Sequence, residues 1–303
     1  MAGESEHSEN DVKPGLEPGP KPGDLVKRHR LSTRLWHWTN ALAIIVLLMS
    51  GLSIFNAHPR LYWGSYGANA DTPWLEISGE GTRGFVRIGS IEITTTGVLG
   101  RWRDENGQTS TRAFPSWATV PGFYSLALGR LWHFFFAWIL VLAGLSYWIW
   151  SFANRHVQRD LAPKRFELKP SHIWHDIKDH ARLRFPTGAA ALSYNILQKM
   201  SYLIILFVLL PLIVLTGLTM SPSMDAAWPW LLDLFGGRQS ARSIHFICAF
   251  LIGAFIVVHL IMVVLAGPVN EIRSMITGRF RLPGKREDAP PPQRPEFAEE
   301  QAQ

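Results

Sequence analysis

Four stretches of the chain are apolar for long enough to cross a bilayer, and polar segments separate them. They cover roughly 35–55 (around NALAIIVLLMSGLSIF), 131–152 (around WHFFFAWILVLAGLSYWIW), 200–220 (YLIILFVLLPLIVLTGLTM) and 244–266. Each approaches the ~20 residues a helix needs to span the hydrocarbon core. The pattern therefore predicts an all-α membrane protein, a four-helix transmembrane bundle. Pro211 lies inside the third stretch and should kink it. The segment between the first two stretches, about 56–128, is far longer than a turn. Within it GFVRIGSIEITTTG alternates apolar and polar positions, which predicts short β structure in a long outer loop. Residues 1–26 and 283–303 lack an apolar core and are expected to be disordered tails, leaving 27–282 as one four-span domain. No internal repeat is evident at this level.

Charge sets the orientation. Lys27, Arg28, Arg30 and Arg34 precede the first span, a run from Arg155 to Arg184 lies between the second and third, and Arg273, Arg279, Arg281, Lys285 and Arg286 follow the fourth. The outer loop balances six basic residues with six acidic ones, and the segment 221–240 holds one Arg and two Asp. Basic residues concentrate on the cytoplasmic side of membrane proteins, so both termini are expected to be cytoplasmic. The net charge of +6 belongs to this bias and implies an anionic membrane surface as partner, with no nucleic acid. The 13 Trp suit the two membrane–water interfaces. Cys248 is the only cysteine, which excludes an internal disulfide, a Cys-ligated iron–sulfur cluster and covalent haem attachment through C-x-x-C-H.

Histidine placement adds chemistry. His245 and His259 are fourteen residues apart in the fourth stretch. Fourteen helical steps fall about 40° short of four turns, so both imidazoles face one way, roughly 21 Å apart along the axis. His37 opens the first span on the cytoplasmic side and His133 opens the second on the outer side. The depths pair His37 with His259 and His133 with His245. One intramembrane histidine is often only a helix–helix hydrogen-bonding residue. Four in matched pairs suit two stacked, non-covalent b-type haems, each with two axial imidazoles. Gly51, fourteen after His37, and Gly144, eleven after His133, fall on the same faces and would let a porphyrin approach. Arg34 and Lys199 at inner depth, with Arg130 and Arg242 at outer depth, are candidate partners for haem propionates. His29 and His58 flank the first span and could approach a haem edge. His172 and His175, in SHIWHDIKDH, read as a solvated loop face.

Against this background the chain resembles the Ni,Fe-hydrogenase-type, or bacterial cytochrome b561, family. That family includes the gamma subunit of formate dehydrogenase and the cytochrome b subunit of thiosulfate reductase. The resemblance rests on RLWHWTNAL at His37, GRLWHFFFAW at His133, the His245/His259 pair, and SYNILQKMSY at 193–202. It implies a quinone pocket at Asn195, with Gln198 and Lys199 completing the stretch, beside the cytoplasmic haem. Leu197 stands where the formate dehydrogenase version has Gly, which alters pocket shape. The implied function is electron transfer between a periplasmic oxidoreductase partner, of the molybdopterin-containing kind, and quinone in the bacterial inner membrane. The alternative on the same haem core is a stand-alone quinol-linked superoxide or ferric reductase. A histidine-lined transporter is disfavoured because no span contains Asp or Glu, and a haem-free structural anchor would leave the paired depths without a cause.

The charge bias makes a direct prediction. A reporter fused at residue 303 should be active only if it works in the cytoplasm, and one inserted near Asn106 only if it works outside. The reverse pattern would overturn the assignment of depths to sides.

Overall fold

The computed structural model describes residues 21, 23–104, 106–155, 157–165, 167–182 and 195–283. Its frame is four helices of membrane-spanning length and composition: α1 (Leu31–Phe55), α2 (Leu126–Ala153), α4 (Ile196–Thr219) and α7 (Arg238–Ala266). Each starts four to six residues before its apolar stretch does. Hydropathy marks only the hydrocarbon-buried part, and the helices continue through the polar interface, where Arg34, Arg130 and Arg242 sit in or just after their first turns. α1 packs chiefly on α2, and α4 on α7. Besides apolar clusters around Tyr147 and Ile252, the bundle interior holds many small and polar side chains, with Asn40, Ser50, Ser53, Ser151, Thr216 and Thr219 buried beside Ala43 and Cys248. Large apolar residues such as Ile149, Phe250 and Val264 point outward. Lipid tails solvate apolar groups as well as a protein core does, so close packing in a membrane falls to small residues.

Pro211 acts differently from a simple kink. It lacks the N–H that would bond residue 207, and its ring crowds that carbonyl. A π-helical turn, Ile205–Leu209, takes up the mismatch just before it, and α4 continues to Thr219. This is a known way for a helix to absorb an inserted fault.

The outer loop folds as a small β domain. A four-stranded antiparallel sheet runs β2 (Arg60–Leu61), β3 (Leu75–Glu80), β4 (Arg83–Ile88), β5 (Ile91–Thr94). The segment expected to hold short β structure forms the β4–β5 hairpin, with Ile88 opposite Ile91 across Gly89-Ser90, and Gly89 supplies the positive φ of 57° that the tight turn needs. A shorter hairpin, β6 (Trp102–Arg103) with β7 (Thr109–Ser110), follows. On one face Glu76 is buried between Arg60 and Arg87, both at 2.8 Å. On the other, Leu75 and Ile77 join Phe55, Leu61 and Ala113 in a core that includes Phe246 of α7. The first turns of α7 hold the domain down. Arg242 donates to the His58 and Arg60 carbonyls at 2.5 and 3.1 Å. Ser243 accepts from the Trp74 indole at 2.9 Å and donates to the Tyr62 carbonyl at 2.6 Å.

On the opposite side, the first tail ends earlier than expected. Leu25 and Val26, assigned to the tail by composition, pair with Arg281 and Phe280 as β1 (Leu25–Lys27) and β8 (Arg279–Arg281). Short strands of this kind have no hydropathy signature, because their partner is 250 residues away. Arg28 reinforces the clamp with an ion pair to Glu271 at 3.1 Å on α8 (Pro268–Thr277). The rest of the predicted tails, 1–20, 22 and 284–303, lies outside the described residues. The SHIWHDIKDH segment is also not a loop. It forms helix α3 (Pro170–Ala181), with Pro170 at its first position and His175 near Asp179 one turn on. Two short helices, α5 (Pro222–Ala227) and α6 (Pro229–Leu234), occupy most of the second outer segment, each also opened by a proline.

Candidate functional site

The fold brings the four span histidines together in two pairs. His37 of α1 faces His259 of α7 with ring centroids 6.4 Å apart, and His133 of α2 faces His245 of α7 at 6.3 Å. Both pairs have the same interplanar angle, 56°. The rings are too far apart to stack or to hydrogen-bond directly. The gap fits one metal ion between two imidazoles, given a metal–nitrogen bond of about 2 Å on each side and roughly 1 Å from ring centre to ring nitrogen. Among the described residues no group of three or more His, Cys, Asp or Glu could hold a metal ion. The available donor sets are thus two-nitrogen pairs, which is what a metal already held in a planar four-nitrogen ring requires.

The surroundings fit a flat apolar ligand at the same two depths. His37 Nδ1 is buried with no hydrogen-bond partner. A methyl group added at Gly144 would meet no atom within 4 Å. Gly51 lies at outer depth as its spacing predicts, but its immediate neighbour is an imidazole: a Cβ there would stand 3.5 Å from His133 Cε1. The sequence reading gave Gly51 to a porphyrin face. The ring came closer because α1 and α2 cross tightly here, with Gly129 against Ser53.

The outer pair has supports that the sequence reading missed. Ser50 Oγ lies 3.0 Å from His133 Nδ1. Thr216 Oγ1 lies 3.2 Å from His245 Nδ1, and the Ile213 carbonyl 2.9 Å from the same nitrogen. Gly217 stands against His245 as Gly51 stands against His133, with a Cβ there 3.3 Å from Cε1. A signal for them exists in the chain. LLMSGLS (47–53) in α1 matches IVLTGLT (213–219) in α4, and GRLWHFFFAW (129–138) in α2 matches ARSIHFICAF (241–250) in α7. The expectation of no internal repeat is therefore corrected. The repeat is short and its halves differ in most large apolar residues, Leu52/Leu218 and Phe134/Phe246 excepted, so it emerges only when the two helix pairs are compared in register.

The remaining candidates have visible partners. Arg34 donates to the Ile276 carbonyl and Arg242 to the loop carbonyls already described, while the Arg130 guanidinium lies 5.7 Å from the Phe134 ring centroid. Asn195 caps α4: its Oδ1 accepts from the Gln198 N–H at 2.9 Å, and Gln198 Oε1 accepts from the Asn195 N–H at 3.3 Å. This reciprocal box satisfies two donors at the helix start. Lys199 is buried and donates to both oxygens of Glu167, at 2.7 and 2.9 Å. Burial opposes ionisation of Glu167, but the hydrogen bond and charge of Lys199 outweigh it and hold the carboxyl below its ordinary value. The Asn195–Gln198 box and the Lys199–Glu167 pair thus both sit at the start of α4. His58 stacks on Tyr62 with ring centroids 5.9 Å apart.

The profile of prokaryotic cytochrome b561 matches residues 28–278. The chain belongs to that family. Its members bind b-type haem. A chain of Azospira oryzae assigned by name as a protein-methionine-sulfoxide reductase subunit, YedZ1, is 30% identical over 235 residues, covering 77% of this b561 chain and 87% of the relative. No solved structure matches the chain.

His29, just before α1, carries a pH consequence. Burial, then the charges of Arg28, His37 and Arg34, lower it from 6.5 to about 4. A histidine held neutral in the fold costs nothing above its unfolded value of 6.5. It costs stability as pH falls from there to about 4, and the cost levels off below. His29→Gln should therefore lose less thermal stability than the parent on acidification. The difference should be on the order of 1 kcal/mol near pH 5 after discounting for partial exposure. Equal slopes of melting temperature against pH would contradict this.

Proposed function

We propose that this b561 protein is the dihaem membrane subunit of a respiratory oxidoreductase in the bacterial inner membrane. His133 and His245 would hold an outer haem, and His37 and His259 an inner one. Two imidazole pairs at two depths, with matching separation and tilt, carry this reading. When bound, the haems supply one-electron chemistry that the side chains lack. The chain's own work is to hold the ligand nitrogens, exclude water and position the exchange sites at each face.

At the cytoplasmic face the exchange site is a quinone pocket at the start of α4. The Asn195 amide would bond a quinone carbonyl, while Gln198 and the Lys199–Glu167 pair hold the helix start in place and keep a charge-compensated pair nearby for proton exchange. Arg34 would balance the inner haem's carboxylates, and Arg130 and Arg242 the outer's. The reading that Arg130 and Arg242 act alike is supported by their equivalent positions in the repeat, three residues before His133 and His245. Gly144 would keep its site free of side chains, while Gly51 leaves room for the His133 ring. At the outer face the β domain offers a docking surface for an oxidoreductase partner. The YedZ1 relative adds a class for it, a protein-methionine-sulfoxide reductase, for which the chain would deliver electrons from quinol.

Ligand assignment is tested by haem loss. His133→Ala should remove the outer haem and keep the inner, and His37→Ala the converse, read as different lost bands in reduced-minus-oxidised spectra. Loss of the same band from both variants would contradict the pairing.

The quinone pocket is tested separately. Asn195→Asp keeps a capping oxygen and removes the amide donor. Electron exchange with a quinone analogue should weaken by about one to two decades in apparent affinity, the equivalent of one buried hydrogen bond, with both haems retained. Wild-type exchange would place the quinone elsewhere.

A further inference from the structure

The internal repeat is centred on the outer histidines. α1 supports His133 of α2, and α4 supports His245 of α7, through equivalent residues. Ser50 donates its hydroxyl proton to the Val46 carbonyl at 2.6 Å, and Thr216 donates its own to the Leu212 carbonyl at 2.7 Å. Both are four residues back along their helices, the usual partner for a hydroxyl inside a helix. With its one proton so committed, each hydroxyl can offer only a lone pair to the imidazole. The imidazole must then be the donor, so Nδ1 carries the proton in both rings. The Ile213 carbonyl beside His245 Nδ1 can only accept, and requires the same tautomer. Leu47 is the residue equivalent to Ile213 in the repeat. Gly51 and Gly217 follow directly and leave space for each ring.

Among the described residues His37 of the inner pair lacks this device. His37 Nδ1 is buried without a partner. In the repeat register, the positions equivalent to His259 and His37 are Tyr147 and Leu203. Those two belong to a single apolar cluster, with Trp36 stacked on Tyr147 at 4.1 Å. The repeat is thus kept at the outer site and broken at the inner one.

We propose that Ser50 and Thr216, each seated on a helix carbonyl and followed by glycine, are positioning residues that lock His133 and His245 as Nδ1–H tautomers and selectively lower the outer haem's potential. A ligand histidine whose Nδ1–H is hydrogen-bonded is a more basic ligand, and it favours the oxidised metal. The proposal rests on the histidine pairing above, which the His→Ala variants test independently.

The experiment is a redox titration of the full-length protein in detergent with both haems loaded, the outer one identified as the band lost in His133→Ala. Ser50→Ala and Thr216→Val each remove one hydroxyl. Each should shift the outer midpoint upward, leave the inner midpoint in place, and change the low-spin electron paramagnetic resonance signal of the outer haem alone. The two variants should shift it by similar amounts, because the repeat makes them equivalent, and the double variant further. Ser50→Thr and Thr216→Ser keep the hydroxyl and should restore the wild-type midpoint. They serve also if an alanine or valine variant fails to load. Unchanged outer midpoints in the loaded variants, or equal shifts of both haems, would overturn the proposal. So would shifts that persist in the hydroxyl-keeping variants.

Discussion

An imidazole buried inside a membrane bundle is stabilised when its ring nitrogens have something to bind. Water is scarce there, and an unmet polar atom in an apolar interior costs on the order of kilocalories. At His133 one nitrogen is met by the Ser50 hydroxyl of α1, and at His245 by the Thr216 hydroxyl and the Ile213 carbonyl of α4. The other faces across the bundle toward its partner ring. Each pair therefore faces across the seam between the α1–α2 hairpin and the α4–α7 hairpin, which pack mainly within themselves. α7 contributes a histidine to both pairs, and so forms the spine on which the two depths are ordered.

That spine also links the two faces of the membrane. Its first turns, three residues before His245, grip the β domain through Arg242 and Ser243. Beyond its other end α8 is held by Arg28 and by the β1–β8 pair. A partner docked on the outer domain would press on backbone bonded directly to the helix that carries both pairs. The same geometry explains why Arg242 has a mechanical role besides any electrostatic one.

Much of this was legible in the chain. Apolar length gave the four spans, and the helical period gave the depth pairing of His37 with His259 and His133 with His245, because both signals are local and repeat along one helix. The hairpin at Gly89 was legible for the same reason. What escaped was non-local. Strand β1 depends on a partner at residues 279–281, and the ion pair of Lys199 on Glu167. The carbonyl–hydroxyl–glycine element was present as SGLS and TGLT, but single serines and threonines in apolar helices attract no notice until the ring each one holds is known. The π turn before Pro211 follows from how a fault is absorbed, which hydropathy does not encode.

The dihaem assignment stands or falls on stoichiometry. Haem extracted from the purified, fully loaded chain, quantified against protein, should give two b haems per polypeptide and a reduced-minus-oxidised spectrum with two components of different potential. One haem per chain, or a single component at full loading, would contradict it.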